Sequence, residues 1–206
     1  MYLLWPRVKT EDRVFHFSTI AAALTAATDA EEGCPAESPS NLSIKATSTV
    51  TDDGTEIHLT LAQANFLNQN GIATALSFSG GLNLWGNELA CYPTNTDVSS
   101  YMLPAARMFG WVANTVLLTH WGKVDRKQNR RLIDNVVDTI NIWLNGLIPD
   151  TILSGYVETI SAENPQTDVI AGITKYHIHL APCSPNREMD FILEYDAEAA
   201  GAALSL

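Results

Sequence analysis

The stretch Gly80-Gly-Leu-Asn-Leu-Trp-Gly-Asn-Glu-Leu-Ala-Cys-Tyr-Pro93 divides the chain into two parts with different sequence patterns. Short apolar runs and turn signals precede it, whereas two long helical patterns and several strand-like segments follow it. Its glycines lack both the Lys-Ser/Thr of a phosphate loop and the G-x-G-x-x-G order of a dinucleotide site. We therefore interpret the glycines at 80, 81 and 86 as backbone turns that connect a strand to a domain junction.

Two helices are predicted before this stretch. Residues 16–29 are rich in alanine, carry apolar residues at helical spacing, and are followed by Gly33, which predicts the helix end. Thr60 and Gln63 form a capping box, in which each side chain satisfies a free backbone N–H at the start of a helix. Gly71 predicts where this second helix closes.

Strands are predicted around these helices, which makes the first part an α/β unit. Residues 42–50 and 55–59 flank the sequence Asp52-Asp53-Gly54, and an Asp-Gly turn between β-rich runs indicates a hairpin. Residues 72–78 form a nearly continuous apolar run of strand length. Such a run is typical of a strand that is covered on both faces.

The first helical pattern after the stretch, residues 101–121, is apolar almost all the way round. Phe109, Val112 and Val116 define one side, and Met108, Leu117 and Leu118 widen the apolar stripe. We expect this helix to be covered on more than one side. Pro104 is predicted in its first turn, where a missing N–H costs little.

The second helical pattern is amphipathic. Asp125 is the predicted N-cap, with Gln128 at the third position, and Pro149 ends the pattern. At about 1.5 Å per residue, this helix would be roughly 30 Å long. Its apolar face repeats at three-and-four spacing through Leu132, Val136, Ile140, Trp143 and Leu147.

Residues 152–160, 173–180 and 189–195 are then predicted as strands. The last two alternate, with Tyr176, Ile178 and Leu180 on one face of the first and Phe191, Leu193 and Tyr195 on one face of the second. The predicted class is mixed α+β: two long helices packed on a small sheet, preceded by the remainder of an α/β domain. We place the domain division at 1–88 and 89–206.

Composition excludes several classes of function. Against 23 Asp and Glu the chain has 12 Lys and Arg, a formal net charge of −11, which argues against nucleic acid as a partner. No apolar run approaches a membrane span, and the N-terminal residues do not form a signal peptide. We therefore expect a soluble protein that stays where it is made. Cys34, Cys91 and Cys183 are widely spaced and predict reduced thiols rather than disulfides or a zinc site.

Two sets of polar residues invite a catalytic or metal-binding interpretation. Asp53, His58 and Ser77 have the residue types of a hydrolytic triad, but no Gly-x-Ser-x-Gly nucleophile elbow is present. His177 and His179 lie two apart on a predicted strand and so share a face, yet no third ligand has a suitable spacing. We predict no catalytic residue, no metal site and no cofactor.

Charge placement is the remaining signal. Five of the 12 basic residues concentrate around the start of the second long helix, whereas the C-terminal quarter is acidic. A solvated helix start and a contact with an acidic surface on a neighbouring subunit both explain this cluster. Its members are Lys123, Arg126, Lys127, Arg130 and Arg131.

Several segments in fixed order suggest a family. WGN at Trp85, HWGKVD at His120, ILSGYVE at Ile152, ENPQTDVIAG at Glu163 and YHIHLAPCSPNREMDFILEYD at Tyr176 together resemble the C-terminal domain of contractile phage tail sheath proteins. Upstream, Trp5-Pro6, TDAEEG at residues 28–33, SPSN at 38–41 and QANFLN at 63–68 resemble the end of that family's central domain, which has a subtilisin-like topology. The resemblance covers most of the chain.

The resemblance implies a structural, non-enzymatic subunit, or a fragment of one, in the tail sheath of a phage or prophage. The implied partners are copies of the chain in a helical sheath, the tail tube protein, and baseplate and tail terminator proteins, without nucleic acid or membrane insertion. Assembly in the host bacterial cytoplasm would place the chain in the virion tail. The candidate interface residues are the basic cluster together with Tyr176, Ile178, Leu180, Phe191, Leu193 and Tyr195.

In the resembled family, N- and C-terminal arms add strands to a neighbour's C-terminal sheet. This chain lacks the counterpart of the N-terminal arm, so we expect a truncated form, a proteolytic fragment or the product of a split gene. Two alternatives stay open: an adaptor or terminator-type protein of the same machine, and a hydrolase, which would need a competent nucleophile.

Overall fold

The computed structural model describes residues 1–11, 13–78 and 80–204, and it confirms the predicted mixed α+β class. The first part, up to residue 85, consists of β1 (Leu3–Leu4), β2 (Arg7–Thr10), β3 (Arg13–Phe15), α1 (Phe17–Glu32), β4 (Ser48–Val50), β5 (Glu56–Ile57), α2 (Leu61–Asn68), β6 (Ile72–Phe78) and β7 (Gly81–Trp85). One sheet has the order β1-β6-β7, in which β1 is parallel and β7 antiparallel to β6. A second, antiparallel sheet has the order β3-β2-β4-β5.

The core of this part forms between α1 and the two sheets. Phe17 and Ala21 on α1 are buried with Val8 of β2 and Leu84 of β7. Burying one such large apolar side chain contributes about 1.5–3 kcal/mol to folding. Strand β6 is buried from Ala73 to Leu76 and exposed at its last two residues, so full coverage is confirmed only for its middle.

The predicted end of α1 and the predicted start of α2 are confirmed, whereas α2 ends at Asn68 with Gln69 as its C-cap, before the predicted Gly71. Helix α1 runs beyond residue 29 to Glu32, and Gly33 ends it with a left-handed φ of 75°. At the start of α2, the Thr60 hydroxyl accepts a hydrogen bond from the Gln63 N–H at 3.4 Å. The Gln63 side-chain oxygen accepts one from the Thr60 N–H at 3.0 Å, which completes the capping box.

The predicted hairpin is also confirmed, with shorter strands than expected. Strands β4 and β5 pair in antiparallel fashion on either side of the Asp52–Gly54 turn. The residues before β4 run beside β7 instead, where the Leu84 N–H donates to the Leu42 carbonyl at 3.0 Å and the Ile44 N–H to the Leu82 carbonyl at 2.8 Å. Those bonds account for the shortening, because the same backbone groups cannot also pair with β5.

The second part contains the two long helices. Its elements are α3 (Val98–Tyr101), α4 (Leu103–His120), a 3₁₀ turn (Trp121–Lys123), α5 (Arg130–Asn145), β8 (Ile152–Glu158), a 3₁₀ turn (Ser161–Glu163), α6 (Gln166–Ile170), β9 (His177–Pro182) and α7 (Ala197–Leu204). Strands β8 and β9 form an antiparallel pair with a bulge after Ile152. Pro104 lies in the first turn of α4, as predicted.

The amphipathic face of α5 forms the centre of this part. Val136, Ile140 and Leu144 are buried against Met108 and Val112 of α4 and against the inner face of β8. At the edge of this core, the rings of Trp111 and Trp143 lie 5.5 Å apart. The three-and-four spacing of α5 therefore correctly predicts which face is buried.

The predicted start of this helix is wrong. Asp125 has a left-handed φ of 60°, whereas an N-cap residue has an extended backbone. Asn129 is the N-cap, and its side-chain oxygen accepts a hydrogen bond from the Leu132 N–H at 2.8 Å. With 16 residues, α5 is about 24 Å long rather than roughly 30 Å.

The predicted third strand of this sheet, residues 189–195, is also wrong. That segment has no regular secondary structure, and within the described residues the sheet consists of β8 and β9 alone. An alternating pattern alone does not make a segment a strand, because a strand also needs a neighbouring strand edge for its backbone hydrogen bonds. The other two strands are shorter than predicted, and β9 begins at His177 because Lys175 is held in a loop by the side chain of Asn164.

The Gly80–Pro93 stretch connects the two parts, but Gly81, predicted in a turn, begins strand β7 instead, because the backbone of Gly81–Trp85 pairs with β6. Polar contacts hold the residues after β7 to the first part. The Tyr2 hydroxyl donates to the Gly86 carbonyl at 2.7 Å, and the buried Ser38 hydroxyl donates to the Asn87 side-chain oxygen at 2.6 Å. Gly86 has a φ of 129°, and a Cβ atom at this position would lie 3.1 Å from Ala73. The glycine is therefore required by both backbone conformation and space.

Candidate subunit interface

One face of α4 is uncovered. Phe109, Leu117 and Leu118 point away from the core and are exposed, as is Trp121 in the following 3₁₀ turn. The expectation that this helix is covered on more than one side is therefore wrong for this chain by itself. Its opposite face, with Met108 and Val112, packs on α5. Among the described helices, none combines the length and the hydropathy that a bilayer crossing requires.

The segment that follows β9 carries the most exposed apolar side chains. Phe191 is 83% exposed, Leu193 97% and Tyr195 84%, and Met189 and Ile192 are exposed as well. Acidic residues alternate with them at 188, 190, 194 and 196. Several large apolar side chains close together at this exposure are typical of a surface that another molecule covers.

The five basic residues of the predicted cluster lie between the end of α4 and the first turn of α5. Arg130 pairs with Asp134 one turn later, at 2.9 Å, and its side chain remains 84% exposed. Lys123 donates to the Asn135 side-chain oxygen at 3.0 Å. Arg126, Lys127 and Arg131 are exposed too. These short-range contacts are compatible with a solvated helix start, and an interface role for the cluster stays a prediction.

Tyr176, Ile178 and Leu180 are half-buried and pack against the chain's own core beneath β9. Burial raises the pKa of the Tyr176 hydroxyl. The structure thus separates the two groups of predicted apolar interface residues. The group around β9 supports the sheet from within, whereas the group at 191–195 faces outward.

The two histidines of β9 each pair with a carboxylate. The His177 Nε2 atom lies 2.9 Å from a Glu163 oxygen, and the His179 Nε2 atom lies 3.1 Å from a Glu158 oxygen. The His179 ring also stacks on Tyr156, with ring centroids 4.4 Å apart. Across residues 1–11, 13–78 and 80–204, no group of three or more metal-ligating side chains comes together.

The three candidate hydrolytic residues occupy exposed positions in the first part. The Asp53 carboxylate accepts hydrogen bonds from the Thr51 hydroxyl and the Thr55 N–H, and these lower its pKa. His58 follows β5 and Ser77 lies near the end of β6, both exposed to solvent. The described hydrogen bonds of Asp53 therefore belong to the hairpin turn.

An ion pair between a buried carboxylate and a half-exposed arginine at the junction was not predicted. The Glu88 side chain is 4% exposed, and one of its oxygens accepts a hydrogen bond from Arg187. Burial, and to a smaller extent the Glu88 charge, raise the pKa of the nearby Tyr2 hydroxyl. The sequence contains no signal for this pair, because its members are 99 residues apart.

The fold is that of proteins from contractile injection systems. A chain of the anti-feeding prophage (AFP) baseplate matches with a TM-score of 0.80 at 19% identity, over 94% of this chain and 54% of that chain. The sheath complex of PVC, an extracellular contractile injection system, matches in its contracted state with a TM-score of 0.79 at 17% identity. The match covers 95% of this chain and 56% of that chain. The AFP helical sheath in its contracted state matches with a TM-score of 0.79 at 17% identity, over 94% of this chain and 55% of that chain.

Sequence comparison makes the relationship more specific. The chain is 31% identical over 179 residues to the tail sheath protein of Burkholderia phage BcepMu. The alignment covers 82% of this chain and 37% of that protein. The sequence matches no model of a known protein family. The chain is thus a relative of a phage tail sheath protein, as its ordered segments predict. It spans just over a third of the length of that relative and about half the length of the matched structures.

Proposed function

We propose that this chain is a structural, non-enzymatic subunit, or part of one, of the contractile tail sheath of a phage or prophage. The observation that carries the proposal is the 31% identity to a phage tail sheath protein over 82% of the chain. The fold match to sheath and baseplate structures supports it. In this role the chain needs no cofactor and belongs to the virion tail, assembled in the host bacterial cytoplasm.

The proposed work of the assembly is mechanical. Copies of the chain surround the tail tube in a helical array, which shortens and drives the tube through a cell envelope. A helical array requires two different surfaces on each subunit that fit each other without closing a ring. The exposed segment 189–195 and the edge of the β8–β9 pair would form two such surfaces, and the basic cluster would add a charged one. Baseplate and terminator proteins would contact the two ends of the array.

Strand addition is the proposed contact between copies. The β8–β9 pair leaves its outer edges free of further strands within the described residues, and segment 189–195 alternates apolar and polar residues. An extended segment with this pattern can add a strand to an open edge, with its apolar side towards the core. Phe191, Leu193 and Tyr195 would then pack beside the half-buried Tyr176, Ile178 and Leu180 of a neighbour.

Negative-stain electron microscopy of the purified chain, with and without the tube protein, tests this function. We expect arrays on preformed tubes, because the tube supplies the surface on which copies align. Rings without tubes would instead identify an adaptor or terminator-type protein. A chain that neither associates with itself nor binds the tube would contradict both versions.

A further inference from the structure

The junction between the two parts of the chain contains a buried carboxylate. The Glu88 side chain is 4% exposed, and its Oε2 atom accepts a hydrogen bond from the Asn87 N–H at 3.0 Å. Residue 88 also forms a backbone bridge with Met102, at the start of α4. Glu88 is therefore fixed in the chain's interior, and its charge requires a partner there.

The described cation that pairs with Glu88 comes from the C-terminal segment. Arg187 donates to the Oε1 atom of Glu88, although Arg187 itself lies in a stretch without regular secondary structure and its side chain is 45% exposed. Moving Arg187 away would leave the buried carboxylate without this cation. An unpaired buried charge is strongly unfavourable, so the backbone at residue 187 is held to the body of its own chain.

The exposed apolar residues begin directly after this contact. Met189, Phe191 and Leu193 all lie beyond Arg187, whereas Cys183, four residues before it, lies against the Pro149 carbonyl at 3.9 Å. The ion pair thus divides the segment into a part that follows the body and residues 188–195, whose side chains are exposed to solvent. Residues 188–195, fully extended, reach about 26 Å from that point.

We propose that the Arg187–Glu88 pair anchors the C-terminal segment to its own chain, so that within this segment only the residues beyond 187 can reach a second copy. The identity of that partner rests on the proposed sheath function, but the anchor itself does not. An anchor at the base of the segment confines residues 189–195 to a small volume. It thereby raises their effective concentration at one point of a neighbour's surface.

Four variants test the anchor. Glu88→Gln keeps the shape and the hydrogen bond to Asn87 while it removes the charge, and Arg187→Met removes the cation. Arg187→Lys is the conservative control, and a double variant that combines Glu88→Gln with Arg187→Met removes both charges. Each is made in a background in which the three cysteines are replaced by alanine, so that residue 183 no longer donates to the Pro149 carbonyl and the label at 184 reports on the ion pair. A nitroxide is attached through Ser184→Cys, before the anchor, or through Ile192→Cys, beyond it.

The anchor predicts an immobilised spectrum at position 184 in the parent and in Arg187→Lys. That immobilisation is lost in Glu88→Gln and in Arg187→Met, whereas the label at 192 is mobile in all proteins. In urea denaturation, the double variant should unfold at a higher midpoint than Arg187→Met alone, because no buried charge is left unpaired. An unchanged spectrum at 184 in Glu88→Gln, or strictly additive midpoint shifts, would overturn the proposal.

Sedimentation of the same proteins separates the anchor from the proposed function. If both hold, Glu88→Gln associates more weakly than the parent although it remains folded, because its apolar segment is no longer held in place. If the parent does not associate at all, self-assembly fails, while the spectra at position 184 still decide the anchor. If Glu88→Gln associates as strongly as the parent although its label at 184 is mobile, the ion pair does not position the segment for association.

Discussion

The Arg107 guanidinium on α4 pairs with both carboxylate oxygens of Asp29 on α1, 78 residues earlier in the chain. Both side chains are about three-quarters buried, so the pair is less screened than a surface ion pair. We expect Arg107→Met to lower the free energy of unfolding by about 1.5–3 kcal/mol, since it leaves a partly buried carboxylate without its donors. Urea denaturation measures this.

The control for that experiment is Arg130→Met, which removes an arginine from an exposed i,i+4 pair with Asp134. Its effect should stay below about 1 kcal/mol. Equal losses for the two variants would show that burial of the Asp29–Arg107 pair does not matter. A double-mutant cycle with Asp29→Asn isolates the coupling between the two side chains.

Trp143 is expected to contribute strongly to the stability of the second part. It is half-buried at the edge of the core and packs against Trp111. Trp143→Ala should cost about 3 kcal/mol, the low end for a large aromatic side chain because part of the indole is already in water. Ile142→Ala, on the same helix but 74% exposed, should change stability little. Chemical denaturation with equal midpoints for both variants would contradict the assigned face of α5.

Alkaline pH should destabilise the chain through Tyr2. Burial raises the pKa of its hydroxyl above the ordinary value of 10.0, so above about pH 10 the unfolded chain loses this proton before the folded chain does. The unfolded state then binds fewer protons, and the free energy of unfolding falls as pH rises. In Tyr2→Phe the fall between pH 9 and 11, measured in urea, should be shallower; Tyr195→Phe, which changes an exposed ring, should match the parent.

Reversing the charge of Arg130 and Arg131 to glutamate tests the basic cluster. Both side chains are exposed, so the variant should remain folded. If the cluster binds an acidic surface on another copy, sedimentation will show weaker association, and association of the parent will weaken with salt as the screening length falls to about 8 Å. Arg13 and Lys45, both exposed in the first part, provide the control for an equal change in charge. Identical sedimentation of the parent, the cluster variant and the control at low salt would exclude an electrostatic contact between the basic cluster and another copy.

The exposed segment is tested by replacing Phe191 and Leu193 with serine. Because both side chains are almost fully exposed, the free energy of unfolding should stay within about 0.5 kcal/mol of the parent. Self-association should be lost. Ile170→Ser changes an apolar residue of similar exposure, 78%, outside this segment. If Ile170→Ser weakens association as much as the double variant, the effect is general hydrophobicity and not this segment.

Local sequence signals predict much of the fold. Helix α1 with Gly33, the capping box at Thr60 and the apolar face of α5 all depend on residues a few positions apart, so the sequence contains what determines them. Asp125 shows the limit of such signals, since Asn129 is an equally suitable N-cap within the same loop. The choice between them depends on how the loop from α4 is packed.

The remaining errors concern partners that are distant or outside the chain. Residues 189–195 have a strand pattern but no strand beside them, and α4 has an apolar face that nothing in the described part of the chain covers. Both patterns predict a surface that another molecule covers, and neither indicates which molecule. The Glu88–Arg187 pair could not be predicted for a related reason. The local sequence around Glu88 does not indicate Arg187 as its partner, and the sequence around Arg187 does not indicate Glu88. The division at residue 88 and the interface roles stay predictions.

The contacts across the Gly80–Pro93 stretch also determine how force passes through the chain. Tyr2 to Gly86 and Ser38 to Asn87 hold the stretch to the first part, and Asp29 to Arg107 joins α1 to α4, so a pull between the two parts would load more than the backbone alone. A block tied in this way transmits tension with little internal stretch. If the proposed sheath shortens, we therefore expect the displacement to occur by sliding or rotation between neighbouring copies rather than within one chain.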